Sequence, residues 1–581
     1  MERTDELIRK KLRENFFATL FMTGSSMIAN IIDRMMVGNL LGSREMAAIS
    51  LTSPVIFVIN VVYGFYIYGG STLAATYKGR RDQEKADECF TISILGGIAL
   101  CMVFTVIELI CFVPLVNALS AGNPELSGPV GAYLLPLLFF GPLVILTNGT
   151  TIFIRNDSLK LLSVAMPIIC NVVNLLMDYV FMGILGFGVR SAGWATNIGY
   201  LAAGLLVLVY LKSDKRTLFF RPGSILNFKL TAEIFHTGLA SAVLNACLIL
   251  KNYLLNTVIV TVFGSLGAVV MTLCLNGGYL ANVFYMGSSQ TMMPIGGALY
   301  GEKDYKGIRY LFRSSVSMML GICCVISVLL MLIPNQFAML FGVNAADTGG
   351  LYVTAFRLFC ISIPVGMLQM ILRSHLQSCG YRNEATVFMV LDGTVCFIPF
   401  LYLFQYTEPE LIWLCFTIAP VLSMAFIYFY MRLRLKKQGI NDPLLLPADP
   451  ENASVMEVTI HDRMEDVETV SGSVLAFCRQ NGIPDTVGNK LWLAIQELCS
   501  NIVQYAYKGS HGAADVFLKI TDREIILRIR DNGIIFNPTE FTDDGGRVIS
   551  GLQLLNAMKI SPEYNRVLGF NNTIVTILRD S

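Results

Sequence analysis

The chain has 581 residues, of which 54% are hydrophobic and 15% are charged, and its formal net charge is +1. This composition is too apolar for a soluble protein and predicts several spans of about 20 apolar residues, so we expect an integral protein of the lipid bilayer. The balanced charge excludes a large basic surface, and no nucleic-acid partner is expected. The fourteen cysteines have neither metal-ligand nor disulfide spacing, which indicates reduced packing residues.

Hydropathy, read in chain order, predicts about twelve transmembrane helices. A charged N-terminal segment precedes the first apolar run and no small-residue cleavage site follows it, so this run is expected to be an uncleaved anchor. The apolar runs cover residues 16–37, 46–77, 89–118, 129–154, 159–185, 191–211, 233–263, 266–298, 314–341, 350–372, 386–404 and 410–431.

Lysine and arginine collect in the N-terminal segment and after every second apolar run, whereas the opposite loops, such as 120–130 and 405–411, are nearly free of them. Basic loops remain on the cytoplasmic side, so we expect both termini in the cytoplasm and the chain in the cytoplasmic membrane. The basic residues counted are Arg9, Lys10, Lys11, Arg13, Lys78, Arg80, Arg81, Lys85, Arg155, Lys160, Lys212, Lys215, Arg216, Arg221, Lys303, Lys306, Arg309, Arg313, Arg373, Arg382, Arg432, Arg434, Lys436 and Lys437.

An internal repeat divides the membrane region at the basic loop 212–229. The segment 30–38 resembles 256–264, and Tyr77-Lys-Gly-Arg-Arg-Asp82 resembles Tyr300-Gly-Glu-Lys-Asp304. Because each half holds an even number of spans, the two halves have the same orientation, as in many secondary transporters. We therefore expect a lobe over 1–211, a linker over 212–232 and a second lobe over 233–437.

Three polar residues within the apolar runs are candidates for ion coupling. A carboxylate in hydrocarbon costs at least a few kcal/mol, so Asp33 and Asp178 are expected to face an internal cavity. Asn174 and Asp178 are spaced i,i+4 and share one helix face, where they could hold an ion or a proton. The alternative is that these groups only bond neighbouring helices or lie at interfacial depth. For three further candidates, Lys251, Arg357 and Asp392, a structural ion pair or an interfacial location explains the residue at least as well as ion coupling does.

The membrane region resembles the bacterial multidrug and toxin extrusion (MATE) family over about residues 10–435. The resemblance rests on Asn30-x-x-Asp33-x-x-x-Val37-Gly38, on Gly79-Arg-Arg-Asp82-Gln-Glu84, on Asn174-x-x-x-Asp178-Tyr179 and on Gly301-Glu-Lys-Asp304. It implies an antiporter whose two lobes alternate access and export small organic, often cationic, compounds in exchange for H⁺ or Na⁺. It also implies that Asp33, Asn174 and Asp178 couple transport to the cation.

The chain changes character after Lys437. Residues 438–455 contain three X-Pro pairs typical of a linker, and residues 456–581 suffice for one small domain. Alternation predicts strands over 456–460, 516–520 and 525–530, and helical periodicity appears over 467–481 and 485–507. The fold expected is thus an all-α polytopic membrane protein of twelve helices in two six-helix lobes, followed by a cytosolic α/β sandwich.

Within the tail, Glu497 and Asn501 are spaced i,i+4 on one helix face, and Asp531-Asn-Gly533 ends a strand. This combination resembles GHKL-type ATP sites, and the domain resembles the serine/threonine kinases that act as anti-sigma factors. The resemblance implies that Asn501 binds Mg²⁺ between the ATP phosphates, that Asp531 and Gly533 receive the adenine, and that Glu497 is the general base of phosphotransfer.

The glycine-rich lid departs from that pattern. Gly551 is kept as an ATP-binding residue, but Ile549 replaces the first glycine of the usual Gly-x-Gly-Leu-x-Leu. A side chain there hinders close approach of the backbone to phosphates. Whether the tail is an enzyme is therefore left open by the sequence.

The leading hypothesis is an ion-coupled multidrug exporter with an ATP-binding regulatory or kinase-like tail that meets a cytosolic protein partner. The tail lacks the P-loop of transport ATPases, so an ion gradient is the expected driving force. Two alternatives remain: a membrane-anchored signalling kinase with a transporter-like sensor, and an exporter of lipid-linked precursors.

Overall fold

The computed structural model describes residues 3–41, 45, 49, 51–120, 124–157, 159–340, 350–446, 453–507, 512–535, 537 and 562–579. Among these residues, nine helices are long and apolar enough to cross a membrane, and a bent pair adds a tenth if it forms one span. The chain is therefore a multi-pass membrane protein, while the number of twelve spans stays a prediction.

The helices of the first half follow the predicted apolar runs. They are α1 Glu6–Leu40, α2 Pro54–Gly79, α3 Gln83–Ile110, the bent α4 (Ser127–Leu137 with Phe140–Arg155), α5 Leu161–Ile184 and α6 Arg190–Leu211. A short helix, Phe112–Leu119, follows α3.

In the second half, one helical stretch, Phe228–Gly301, contains two helices that meet at Gly264. We call them α7, before Gly264, and α8, after it. Gly264 has φ 62°, a left-handed conformation that glycine adopts without strain, so the break falls between the two predicted runs. The remaining helices are α9 Tyr305–Leu332, Pro334–Met339, α10 Leu351–Ser378, α11 Arg382–Tyr406 and α12 Pro409–Lys436.

The same turn ends α2 and α8, as the sequence repeat suggests. In both copies an aspartate side chain caps the next helix by accepting a backbone N–H, at 3.1 Å in the first half and 2.9 Å in the second. In both copies the residue before that aspartate has a positive φ. The matched positions are Gly79 with Gly301, Arg81 with Lys303, and Asp82 with Asp304.

Buried apolar side chains form separate cores in the two halves. Two clusters are built from residues between 37 and 234. Two more are built mainly from residues between 255 and 446, and the larger of these also includes Leu7 and Phe16 of α1 and Leu568 and Phe570 of the tail. Each half therefore has its own packed apolar interior.

Some basic residues counted for orientation do not lie in loops. Arg155 and Arg373 are 1% and 3% exposed and lie within α4 and α10. Arg155 donates to Thr19 at 2.8 Å and to Gln290 at 2.9 Å, so it links the two lobes. Lys78, at the end of α2, is buried as well. The expectation that these residues are loop charges was wrong, because each is long enough to reach a polar partner inside the protein.

The tail is a five-stranded antiparallel sheet with two helices on one face. The strand order is β1-β2-β3-β5-β4. The predicted strands and helices are all present, and β4 and β5 are two strands that alternation did not identify. The bounds are β1 Ser454–His461, α13 Met464–Gln480, α14 Asp485–Asn501, β2 Ala513–Ile520, β3 Glu524–Asp531, β4 Glu563–Val567 and β5 Phe570–Leu578.

The two faces of the tail sheet have different neighbours. Successive side chains of a strand point to opposite faces. On β3, Leu527 and Ile529 join the core formed with α13 and α14. The intervening Arg528 and Arg530 point away from this core and contact Glu302, at the end of α8. The second face of the sheet therefore packs against the membrane region, on what we call the tail side.

Candidate functional site

The first site lies on α5, where the predicted i,i+4 pair is in contact. Asn174 Nδ2 donates to Asp178 Oδ2 at 3.0 Å, and also approaches Thr196 Oγ1 of α6 at 3.4 Å. Asp178 has no exposed surface. The helical period alone places Asn174 over Asp178, whereas the contact with Thr196 depends on how α6 packs.

Asp33 of α1 reaches the same place from another helix. Its carboxyl group lies close to the Asp178 carboxyl, near enough for the two charges to interact. Two carboxylates held this close repel each other, so the pair favours binding of a proton or a cation. The structure thus brings together all three residues predicted for ion coupling, Asp33, Asn174 and Asp178.

Two serines near this site were not identified from the sequence. Asn171, one turn before Asn174, donates to Ser25 Oγ at 3.1 Å and approaches Ser26 Oγ at 3.4 Å, both on α1. These bonds tie α1 to α5 and so hold Asp33 near Asp178. The sequence does contain a signal that could have identified these serines. Polar side chains recur at every third or fourth position of both helices.

The further candidates in the second lobe have local structural partners. Lys251 Nζ lies 4.2 Å from the ring centroid of Phe397, a cation–π contact, and Asp392 lies beside the same part of α7, at Cys247. Arg357 is exposed and donates to the carbonyl of Met331 at 3.3 Å. These contacts agree with the alternative that Lys251, Asp392 and Arg357 have structural roles.

The second site lies in the tail, at the end of α14. Glu497 and Asn501 are both partly exposed on this helix, one turn apart. After Asn501 the helix continues in a wider turn, Ile502–Ala506, whose last carbonyl accepts from the backbone N–H of Ile534 at 3.0 Å. This bond brings the end of α14 to the turn after β3, where Asp531 lies.

Asp531 is 3% exposed and its Oδ1 accepts two hydrogen bonds. The donors are the backbone N–H of Gly533, at 2.8 Å, and Asn571 Nδ2, at 2.9 Å. Burial raises the pKa of Asp531 to about 6, and these two hydrogen bonds partly offset the effect. Asn571, on β5, was not identified from the sequence because β5 itself was not predicted. These two hydrogen bonds hold the buried Asp531 carboxylate in place. A carboxylate fixed in this way can accept a hydrogen bond from an adenine amino group.

A side chain at position 533 would clash with its neighbours, so this position requires glycine. A Cβ at this position would lie 2.5 Å from the Cβ of Ala506 and 3.0 Å from Asp531 Oδ1. The absence of a side chain therefore lets the turn after β3 pack against the end of α14, in addition to any contact with a base. The other predicted lid residues, Ile549 and Gly551, lie outside the described residues.

All fourteen cysteines are free, and most are buried, as packing residues would be.

Two families match the chain. MatE matches residues 18–180 and 242–403, one segment in each half of the membrane region. The histidine kinase-like ATPase domain family matches residues 460–567. These segments contain Asp33, Asn174 and Asp178 in the first case, and Glu497, Asn501 and Asp531 in the second.

Similar proteins and structures agree with this division. The multidrug export protein MepA of Staphylococcus saprophyticus is 22% identical over 424 residues, which cover 71% of this chain and 92% of that protein. MepA of Staphylococcus haemolyticus is 22% identical over 431 residues, or 72% and 93% of the two chains.

Two solved transporter structures show the same fold as the membrane region. A MOP superfamily transporter from Pyrococcus furiosus superposes with a TM-score of 0.69 and 20% identity over 76% of this chain and all of its own. An outward-facing multidrug resistance MATE family transporter gives 0.69 and 21%, over 75% and 99%. The chain therefore belongs to the MATE family of multidrug efflux transporters, and it carries a histidine kinase-like ATPase domain after its membrane region.

Proposed function

We propose that the chain is a proton-coupled antiporter that exports small organic cations across the cytoplasmic membrane, with both termini in the cytoplasm. The observation that carries this proposal is the closeness of the Asp33 and Asp178 carboxyl groups, because two acids side by side, of which Asp178 is fully buried, favour binding of a proton. Loss of the proton leaves two carboxylates side by side, and like charges in a low-dielectric site repel strongly.

The proposed exchange follows from this repulsion. The deprotonated pair attracts a cation, and Asn174 supplies a carboxamide oxygen beside it. Binding of a proton removes the repulsion between Asp33 and Asp178 and releases the cation. Since α1 and α5 carry the two acids, protonation changes how these helices pack, and that change is what the lobes can use to alternate access. Na⁺ at the same oxygens is the competing possibility, and the experiment below separates the two.

For the tail we propose a regulatory ATP-binding function. Bound Mg²⁺ and ATP would supply a transferable phosphoryl group, with Asn501 as the metal ligand and with Asp531 and Gly533 at the adenine. Support comes from the burial of Asp531 and from the turn that joins Gly533 to the end of α14. Gly551 of the lid completes the proposed site.

A second candidate function for the tail is serine/threonine phosphorylation of a cytosolic protein partner. It is favoured by Glu497, which shares a helix face with Asn501 and remains partly exposed. In that role the Glu497 carboxylate would accept the proton of a substrate hydroxyl group. Transfer of ³²P from ATP to added cytosolic protein by the full chain, and its loss in Glu497→Gln with ATP binding kept, is the test.

The transport proposal is tested in proteoliposomes by uptake or release of a fluorescent organic cation. Either a proton gradient or a sodium gradient is imposed on the wild type, Asp33→Asn, Asp178→Asn and Glu108→Gln. Glu108 is the matched control, since it is another carboxylate within a span of the first lobe. We expect transport under the proton gradient, lost in both aspartate variants and kept in Glu108→Gln. Transport under sodium alone would establish Na⁺ coupling, and transport by Asp178→Asn at the wild-type rate would contradict the proposed site.

A further inference from the structure

The two equivalent turns at the ends of α2 and α8 touch one another. A Cβ added to Gly79 would lie 2.3 Å from the carbonyl oxygen of Ala298, and one added to Gly301 would lie 2.3 Å from that of Thr76. Such distances leave no room for a side chain, so the backbones of α2 and α8 are in direct contact. In this structure the two lobes are therefore closed against each other on the tail side.

The tail sheet binds the turn of the second lobe through buried charges. Arg528 and Arg530 both contact Glu302, and Arg530 Nη2 lies 3.1 Å from Asp304 Oδ2. From β5, Asn572 Nδ2 approaches Glu302 Oε1 at 3.3 Å. The side chains of Arg530, Asp304 and Glu302 are only 1%, 2% and 6% exposed. Removing one member of such a set leaves its partners charged and buried, so the contact depends on every member.

The N-terminal segment closes around the same contact. Arg3 makes two hydrogen bonds to Asp304, at 2.7 and 3.0 Å. The backbone N–H of Thr4 donates to Thr459 Oγ1 of β1 at 2.9 Å. The segment before α1 is thereby fixed to both the second-lobe turn and the tail.

The same sheet also binds the turn of the first lobe, through its edge strand β4. Glu563 of β4 forms an ion pair with Arg81 at 2.8 Å, and Asn565 donates to the carbonyl oxygen of Lys78 at 2.5 Å. Here the side chains of Arg81 and Glu563 are 28% and 63% exposed. An exposed pair of this kind contributes little, so this ion pair is weaker than the buried charges at the second-lobe turn. The rest of the contact is buried, because Val567 and Leu568 are only 2% and 4% exposed and lie beside Ala75 of α2.

The two turns present opposite charges to the tail sheet, and the sheet presents the complementary charge to each turn. The second-lobe turn carries Glu302 and Asp304 and faces arginines, whereas the first-lobe turn carries Arg81 and faces a glutamate. Two turns related by the internal repeat are thus bound by one sheet through opposite charges. A sheet that binds both turns in this way holds the two lobes in one fixed position relative to each other.

We propose that the tail sheet is a clasp that joins the two lobes and keeps the transporter closed on the tail side. Opening on that side requires α2 and α8 to separate, and a rigid sheet attached to both turns must then release one of them. The first-lobe turn, whose ion pair is exposed, is the one released, and the tail remains on the second lobe. This proposal rests on the proposed transport function only in one respect, that the two lobes move apart.

The test measures the distance between the lobes by single-molecule FRET, with the full-length protein in nanodiscs. Fluorophores are attached through non-natural amino acids at Asp214 and Lys436, which are exposed on the tail side, so that the native cysteines remain unlabelled. The variants are Arg81→Glu, Glu563→Arg and the two substitutions together. Each single change replaces attraction by repulsion, and we expect it to raise the ratio of open to closed molecules at least about threefold.

The double charge swap is the decisive control, because it restores the ion pair in reverse and is expected to return the ratio to the wild-type value. Lys229→Glu alters the charge of an exposed residue at the start of α7 and is expected to change nothing. Single variants that match the wild type, or a double swap that remains open, would overturn the proposal. The FRET distances can be measured without transport and without ATP. This test can therefore be interpreted even if the proposed transport function is wrong.

Discussion

Replacement of Asp304 by asparagine tests the buried part of the clasp. Asparagine keeps a side-chain oxygen that can still cap α9 through the backbone N–H of Gly307, which Asp304 binds at 2.9 Å. What is lost is the negative charge between Arg3 and Arg530. Burial by itself would raise the pKa of Asp304, but these two arginines outweigh it and hold the pKa well below its usual value. Because this pKa is depressed, the stabilisation is present at neutral pH and is lost as the pH falls below about 4.

The size of the effect follows from what remains around the two arginines. Breaking a buried ion pair costs about 3–5 kcal/mol. Arg530 keeps Glu302, and Arg3 keeps Asp515 at 3.9 Å, so we expect the lower end of that range. A loss of about 3 kcal/mol corresponds to a roughly hundredfold change in the docking equilibrium.

Asp82→Asn is the matched control. Asp82 occupies the equivalent position in the first lobe and also caps a helix, but its ion-pair partner, Lys85, is 51% exposed. An exposed pair contributes at most about 1 kcal/mol, or roughly fivefold.

The assay is FRET between one fluorophore on the tail, at the exposed Glu468, and another at Lys229, in the full-length protein at neutral pH. The ratio of undocked to docked molecules is expected to rise about hundredfold in Asp304→Asn and less than about fivefold in Asp82→Asn. Equal ratios in the two variants would refute the reasoning, because they would show that the buried charges do not hold the tail in place.

Four further predictions concern the nucleotide site, the stability of the tail and the contact between the lobes. ATP binding should weaken as the pH drops through about 6, since the pKa of Asp531 is raised to about 6 and the anionic carboxylate is the better acceptor; a fluorescent-nucleotide titration in which Asp531→Asn shows the same pH dependence would contradict this. That raised pKa also predicts that the tail loses stability as the pH rises from about 4 to about 6 and not above, which thermal unfolding can follow. Gly533→Ala, whose Cβ would lie 2.5 Å from Ala506, should destabilise the tail by about 1–3 kcal/mol, whereas Gly472→Ala on α13, with open space around it, should stabilise it by up to about 1 kcal/mol. Gly301→Ala should prevent closure on the tail side, as judged by the inter-lobe FRET ratio, while Gly321→Ala, where no atom lies within 4 Å, should leave that ratio unchanged.

Periodicity and spacing were enough to predict much of the chain. The division after Lys437 follows from composition, and the break at Gly264 follows from a gap between two apolar runs. Asn174 and Asp178, like Glu497 and Asn501, share a helix face because their spacing matches one helical turn. In each case the residues concerned are close in sequence, so covalent geometry already fixes how they lie.

Contacts between distant segments were decided only by the tertiary structure. Asp33 meets Asp178, Asn571 donates to Asp531, and Arg530 reaches Asp304, although each pair is separated by dozens to hundreds of residues. The sequence showed Asp304 as part of a repeat but not as a partner of the tail, and it counted Arg155 as a loop charge. Whether a charged side chain is buried depends on which opposite charge or polar group packing brings to it, because burial without such a partner is too costly. Local spacing therefore determined the elements and their faces, and packing alone determined which faces meet.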